Sequence, residues 1–147
     1  AACELECHVC FRQKELFDYL VKAEIQPVGF MPLGSPQRPE RDMCAEDVAD
    51  LKTPVMQEIA KAHSVHPAII ALKWAQKNGQ IPIPFSVHEN EYMSNLRAFT
   101  EDPLTDEEME RISGLECGNR LVKGQVFLWH GAKDWHDLWD EEGSIVK

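Results

Sequence analysis

The sequence predicts an α/β fold built on a parallel sheet. Two observations carry that expectation. Short strand-like runs alternate with amphipathic helical runs, and turns bearing proline or glycine separate them. The order is strand, helix, strand, loop, two helices, strand, two helices and a tail. Strands joined through helices pair in parallel by right-handed crossovers.

Residues 2–7 read as a short strand. Residues 12–24 read as a helix, because Leu16, Phe17, Leu20 and Val21 recur at 3–4 spacing and form one apolar stripe. Residues 25–30 form a second strand, with Pro27 at an irregular entry. Residues 31–50 make a long loop broken by Pro32, Gly34, Pro36 and Pro39, a length more often functional than merely connecting. Thr53 before Pro54 reads as a helix N-cap, and Val55, Met56, Ile59 and Ala60 continue to about His63. Ser64 begins the next helical signal and Pro67 opens the helix. Ile69, Ile70, Leu72, Trp74 and Ala75 give its apolar side, and Asn78-Gly79 a left-handed end. Residues 81–84 read as a strand of the buried, parallel type, with two prolines marking a loop junction. Residues 89–99 form another helix. Thr105 to Glu108 spell a capping box for a helix ending near Gly114. From Gly118 the chain becomes an aromatic-rich tail containing Trp129, Trp135 and Trp139.

Size and charge bound what this chain does. Its 147 residues are enough for one domain with a hydrophobic core, but short of the roughly 250 residues of a whole (β/α)8 barrel. A net charge of −10 argues against phosphate backbones and anionic membranes as partners. No apolar run reaches the roughly 20 residues of a membrane span, so membrane insertion is not expected. Residue 1 falls inside strand-like sequence, the mark of a processed, truncated or partly seen protein. No targeting signal is visible there. Five cysteines, an odd number, read as reduced thiols and point to the cytoplasm or another reducing compartment.

Several motifs now agree with one family. Glu6-Cys7-His8 followed by Phe11 to Leu16 resembles the sixth strand and helix of aldo-keto reductases. Pro32-Leu33-Gly34-Ser35-Pro36 is similar to the loop after their seventh strand, and Ala68 to Trp74 resembles their seventh helix. Ile83-Pro84-Phe85-Ser86-Val87 with Asn95-Leu96 is similar to the eighth strand and helix, and Leu104 to Met109 to the start of an extra helix. The resemblance runs in order along nearly the whole chain. It implies the C-terminal portion of a (β/α)8 TIM barrel, incomplete on its own. Residues 1–117 would be strands six to eight with their helices, and residues 118–147 the C-terminal tail.

The same resemblance implies an NADPH-dependent carbonyl reductase fold whose catalytic tetrad of Asp, Tyr, Lys and His lies in the earlier half. No catalytic residue is therefore expected here, and His8 is not the tetrad histidine. The cofactor positions are altered. Cys3-Glu4 stand where the family has Asn-Gln, so the nicotinamide loses a donor. Phe30 replaces a stacking Tyr and can still stack. Phe85 replaces a Lys, and Glu91 an Arg, both of which grip the 2′-phosphate. Ser94 replaces a Glu that contacts adenine. Phe30, Leu33, Ser35, Ser86 and Asn95 are the residual cofactor-binding positions.

Other constellations read more plainly. Cys3, Cys7, His8 and Cys10 do not make a zinc site, because one strand sends Cys7 and His8 to opposite faces and no second pair stands at finger spacing. Gly34-Ser35-Pro36 reads either as a pyrophosphate cradle or as a surviving turn. The segment from Asp134 to Asp140 reads as packing or interaction sequence. His63, His66, His88 and His130 read as ordinary surface residues.

The expectation is a non-catalytic structural or interaction subunit with a degenerate NADPH site and no cofactor of its own. A missing N-terminal half or another protein chain would complete its sheet. The alternative is the C-terminal half of a working NAD(P)H-dependent reductase of aldehydes or ketones, with NADPH as its cofactor. A cofactor-free binding module using the strand-end loops and the tail is a third reading.

Overall fold

The computed structural model describes residues 1–35 and 37–139, with only the backbone of Arg41. Pro36 and Asp140 of the two segments named above lie outside the described residues.

Three parallel strands form one sheet in the order β1 (Ala2–Glu6), β2 (Gln26–Phe30), β3 (Ile81–Pro82). Cys3 faces Pro27 and Glu6 faces Phe30 across the first pair, and Val28 faces Ile81 across the second. The third strand is shorter than expected and differs in burial. Pro82 and Pro84 cannot donate ladder hydrogen bonds, so pairing shrinks to two residues plus the Ile83 amide donating to the Gly29 carbonyl at 2.9 Å. Ile81 and Ile83 are exposed, where the apolar run predicted a buried strand. The reason is position: β3 ends the sheet, and no described strand lies beyond it.

Helix α1 (Lys14–Lys22) crosses over between β1 and β2. Gln13 precedes it in a left-handed conformation and donates through Nε2 to the Glu6 carbonyl at 2.6 Å. Phe17 and Leu20 pack on Leu5 and Cys7. Leu16 and Val21, read above as parts of the same stripe, are exposed. The buried face is only as wide as the small sheet beneath it.

Helices α2 (Pro54–Ala62), α3 (Pro67–Lys77) and α5 (Asp106–Ser113) enclose the main core. Met56, Ile59, Ile70, Trp74, Leu104 and Ile112 meet there with Val9 and Cys10, which follow β1. Removing these side chains from water is the dominant stabilising term. The long loop before α2 is interrupted by 3-10 turns at Glu40–Asp42 and Asp50–Lys52.

Four helix ends show how local chemistry works out. Thr53 occupies the N-cap of α2, but its hydroxyl donates back to the Asp50 carbonyl at 3.0 Å and does not cap the helix. His66 caps α3, with Nδ1 accepting the Ala68 amide at 3.2 Å, while Ser64 sits before it with φ of 55°. Gly79 supplies the left-handed end of α3 at φ 97°. The capping box on α5 is complete: the Glu108 amide donates to Thr105 at 3.2 Å, and the Thr105 amide to Glu108 at 2.8 Å.

Helix α4 (Glu89–Arg97) buries none of its residues, and Tyr92, Met93 and Leu96 remain exposed. The tail crosses the face of the molecule near the end of β1, then forms 3-10 turns at Gln125–Phe127 and Trp135–Trp139.

Candidate functional site

The loop after β2 and the segment after β3 face each other across a cleft of about 1350 Å³. The first wall comes from Met31 to Ser35. The chain turns sharply there, with φ of 51° at Met31, 69° at Gly34 and 33° at Ser35, and the Gly34 amide donates to the Met31 carbonyl at 2.9 Å. Glycine is required at 34 for a second reason. A Cβ there would stand 2.9 Å from Cγ of the buried Asp50. The second wall runs from Ile83 to Ser86 and onto α4 through Glu91, Ser94 and Asn95. Ala68, Ile69 and Lys73 of α3 contribute to the lining as well.

Four of the five predicted cofactor positions line this cleft: Leu33, Ser35, Ser86 and Asn95. Phe30, at the end of β2, does not. Leu33 also packs against the main core, which anchors the first wall.

The polar groups of the cleft are largely engaged with one another. Ser86 Oγ donates to Glu91 Oε2 at 2.5 Å and accepts the His88 amide at 3.1 Å. Phe85, beside it, is 85% exposed and presents no charge. Arg38 is a cation in the cleft lining, but its guanidinium is nearly buried and committed to Asp47, the Asp42 carbonyl and the Ser35 carbonyl. Lys123 joins Asp47 at 2.9 Å. Burial pushes the Asp47 carboxyl up, yet the Cys44 amide, Lys123 and Arg38 hold it below the usual carboxylate range. The Lys73 ammonium is spent on the carbonyls of Glu101 and Asp102.

His63 corrects the sequence reading. Its side chain is 10% exposed and bridges Asp102 at 2.5 Å and Glu108 at 2.8 Å. Burial lowers its pKa, but these two carboxylates outweigh burial and raise it. The partners lie 39 and 45 residues away along the chain, beyond the reach of spacing arguments. Together with Lys73 they tie the α4–α5 connection to α2 and α3 at one end of the cleft. His66 is the helix cap already described, and His88 and His130 are exposed. In the tail, Asp134 accepts from the ring and amide of His136, and Asp137 from the Lys133 amide, so these carboxylates stabilise their own turns.

A second polar centre lies behind the cleft. His8 is fully buried, with Nδ1 2.6 Å from Asp50 and Nε2 3.1 Å from Glu6. Burial disfavours the imidazolium, but the hydrogen bonds and charges of Asp50 and Glu6 override it and raise the His8 pKa to about 9. Glu6 also accepts the amides of Leu121 and Val122 at 2.7 and 3.0 Å, and Asn119 donates to Asp50 at 3.4 Å. One buried ion triad thus joins β1, the loop before α2 and the tail. Cys7 points the other way, into the cluster under α1. The signal available in the sequence was Glu6 and His8 at alternate positions of a strand, hence on one face. Nothing nearby in the chain revealed Asp50 as their partner.

Comparison with known proteins places this arrangement. Residues 1–116 match the model of the aldo/keto reductase family. Aldo/keto reductase slr0942 of Synechocystis is 32% identical over 139 residues, covering 94% of this chain and 42% of that protein. Human aldo-keto reductase family 1 member C2 is 33% identical over 124 residues, covering 84% of this chain and 38% of its own length. Among solved structures, apo Gox0644 superposes with a TM-score of 0.66 at 27% identity, over 79% of this chain and 38% of that one. The chain therefore spans about two fifths of the length of these relatives. The chain belongs to the aldo/keto reductase family.

Proposed function

We propose that this chain is the nucleotide-facing, C-terminal portion of an aldo-keto-reductase barrel that does no carbonyl chemistry with its own residues. Its role is structural or interactive, within a larger barrel or assembly. The observation that carries this is the bond from Ser86 to Glu91 beside an uncharged Phe85. By the resemblance above, Phe85 and Glu91 stand where the family grips the 2′-phosphate with Lys and Arg. Here that position holds a carboxylate closed onto a serine; of the cations lining the cleft, Arg38 and Lys73 are already satisfied, and Arg97 at the end of α4 is the remaining one. Losing two charge-assisted hydrogen bonds costs about 3–6 kcal/mol, or roughly two to four orders of magnitude in affinity. Phe85 and Glu91 do not fit a 2′-phosphate.

The open edge at β3 and the apolar faces of β3 and α4 support completion by further polypeptide.

A second reading has its own support. The cleft is of a volume that suits a dinucleotide, and Leu33, Ser35, Ser86 and Asn95 still line it. In that reading the chain is part of a working reductase, the tetrad lies in other polypeptide, and a nicotinamide dinucleotide supplies the hydride.

Calorimetric titration of the purified protein with NADPH and NADH, alongside native mass spectrometry, tests both. The expected result is a mass above 16.8 kDa and no saturable NADPH binding below the micromolar range. The double variant Phe85→Lys, Glu91→Arg should tighten NADPH at least about tenfold. Submicromolar NADPH binding by the unaltered protein overturns the degenerate site and favours the reductase reading.

A further inference from the structure

We propose that Cys10 and Cys117 are a modification site: a thiol pair that hydrogen peroxide converts to an intramolecular disulfide, fastening the start of the tail to the turn after β1. The proposal is independent of the nucleotide reading.

The geometry brings the pair together across the whole length of the domain. The Cys117 amide donates to the Cys10 carbonyl at 3.3 Å, and the Asn119 amide to the same carbonyl at 3.1 Å. The Cys117 thiol also donates to that carbonyl at 3.7 Å. These bonds set the two residues side by side, as a disulfide between them requires. Asp50 accepts the Cys10 amide at 3.4 Å, on the same turn.

The two cysteines differ in the way a sequential reaction needs. Cys117 is exposed, while Cys10 is 1% exposed and part of the main core. Burial, the Asp50 charge and Cys117 push the Cys10 thiol far above its ordinary value, so it stays protonated at neutral pH. Cys117, the exposed thiol of the pair, therefore attacks the peroxide first. The Cys117 thiol gives a sulfenic acid and one water as the peroxide O–O bond breaks. The Cys10 sulfur then attacks the Cys117 sulfur. The S–S bond forms and the S–O bond breaks as the Cys10 proton passes to the leaving hydroxyl, which departs as a second water. Two thiols are oxidised and one peroxide is reduced to two waters. Cys7, also buried, is pushed up to about 12 by burial, and its thiol donates to the Arg12 carbonyl.

The consequence falls on the tail. Leu121 and Val122 follow Cys117 closely and are held by Glu6. A covalent bridge fixes this segment even when the ion triad around His8 is weakened.

The test is peroxide treatment of the intact, reduced protein, alkylation of remaining thiols, and peptide mapping without reduction. The expected result is a linked pair of peptides containing Cys10 and Cys117, a mass lower by two hydrogens, and loss of two of the five alkylatable thiols, all reversed by dithiothreitol. Cys117→Ser should abolish the link, and Cys44→Ser, at the other exposed cysteine, should leave it intact. Oxidation of Cys117 to sulfinic acid with Cys10 still alkylatable overturns the proposal. So does a link made through Cys44.

Discussion

Raising the pH should release the His8 triad and destabilise the fold by an amount that can be worked out. The unfolded histidine titrates near 6.5 and the folded one near 9. Protonation is thus favoured by folding. The stabilisation is fully present below pH 6.5 and is lost as pH rises through about 9. A difference of this size corresponds to about 3 kcal/mol, with a slope near 1.4 kcal/mol per pH unit between the two values. Urea unfolding, followed by tryptophan fluorescence from pH 6 to pH 10, reads it directly. The comparison that isolates His8 is with His8→Gln. This variant leaves Glu6 and Asp50 without their cation and should be less stable at pH 6 by a few kcal/mol. Its stability should change far less between pH 6.5 and 9. The two curves should converge as pH rises. Parallel curves for the unaltered protein and His8→Gln across that window would refute the assignment of a buried imidazolium.

Two further changes probe the frame of the site. Gly34→Ala combines φ of 69° with a Cβ 2.9 Å from Asp50 Cγ, so it strains the loop and pushes Asp50 off His8; a loss of about 1–3 kcal/mol in denaturant unfolding is expected, and an unchanged midpoint would contradict the close packing. Thr105→Ala removes the hydroxyl that accepts the Glu108 amide and should cost about 1 kcal/mol, with Thr105→Ser nearly neutral; equal losses in both would show that the capping box is not the cause.

The alternation of strands and helices, the proline at the start of α2 and α3, the left-handed Gly79 and the capping box at Thr105 were all determined by the sequence alone. Each rests on chemistry within a few residues: a fixed φ at proline, a missing Cβ at glycine, a hydroxyl three residues from a glutamate. Family motifs extended that reach to the strand order and to the cleft positions Leu33, Ser35, Ser86 and Asn95. Tertiary structure alone decided the rest. Asp50 and Glu6 converge on His8, Asp102 and Glu108 on His63, and Cys117 on Cys10. These partners stand up to 107 residues apart along the chain, apart from Glu6 and His8, which are two residues apart. Burial was likewise a matter of neighbours. Ile81 and Ile83 carry strand-like apolar side chains yet stay exposed, because no described strand lies beyond β3. Local propensity acts through a residue's own backbone and its nearest neighbours, whereas charge pairing and burial depend on which distant groups the fold delivers.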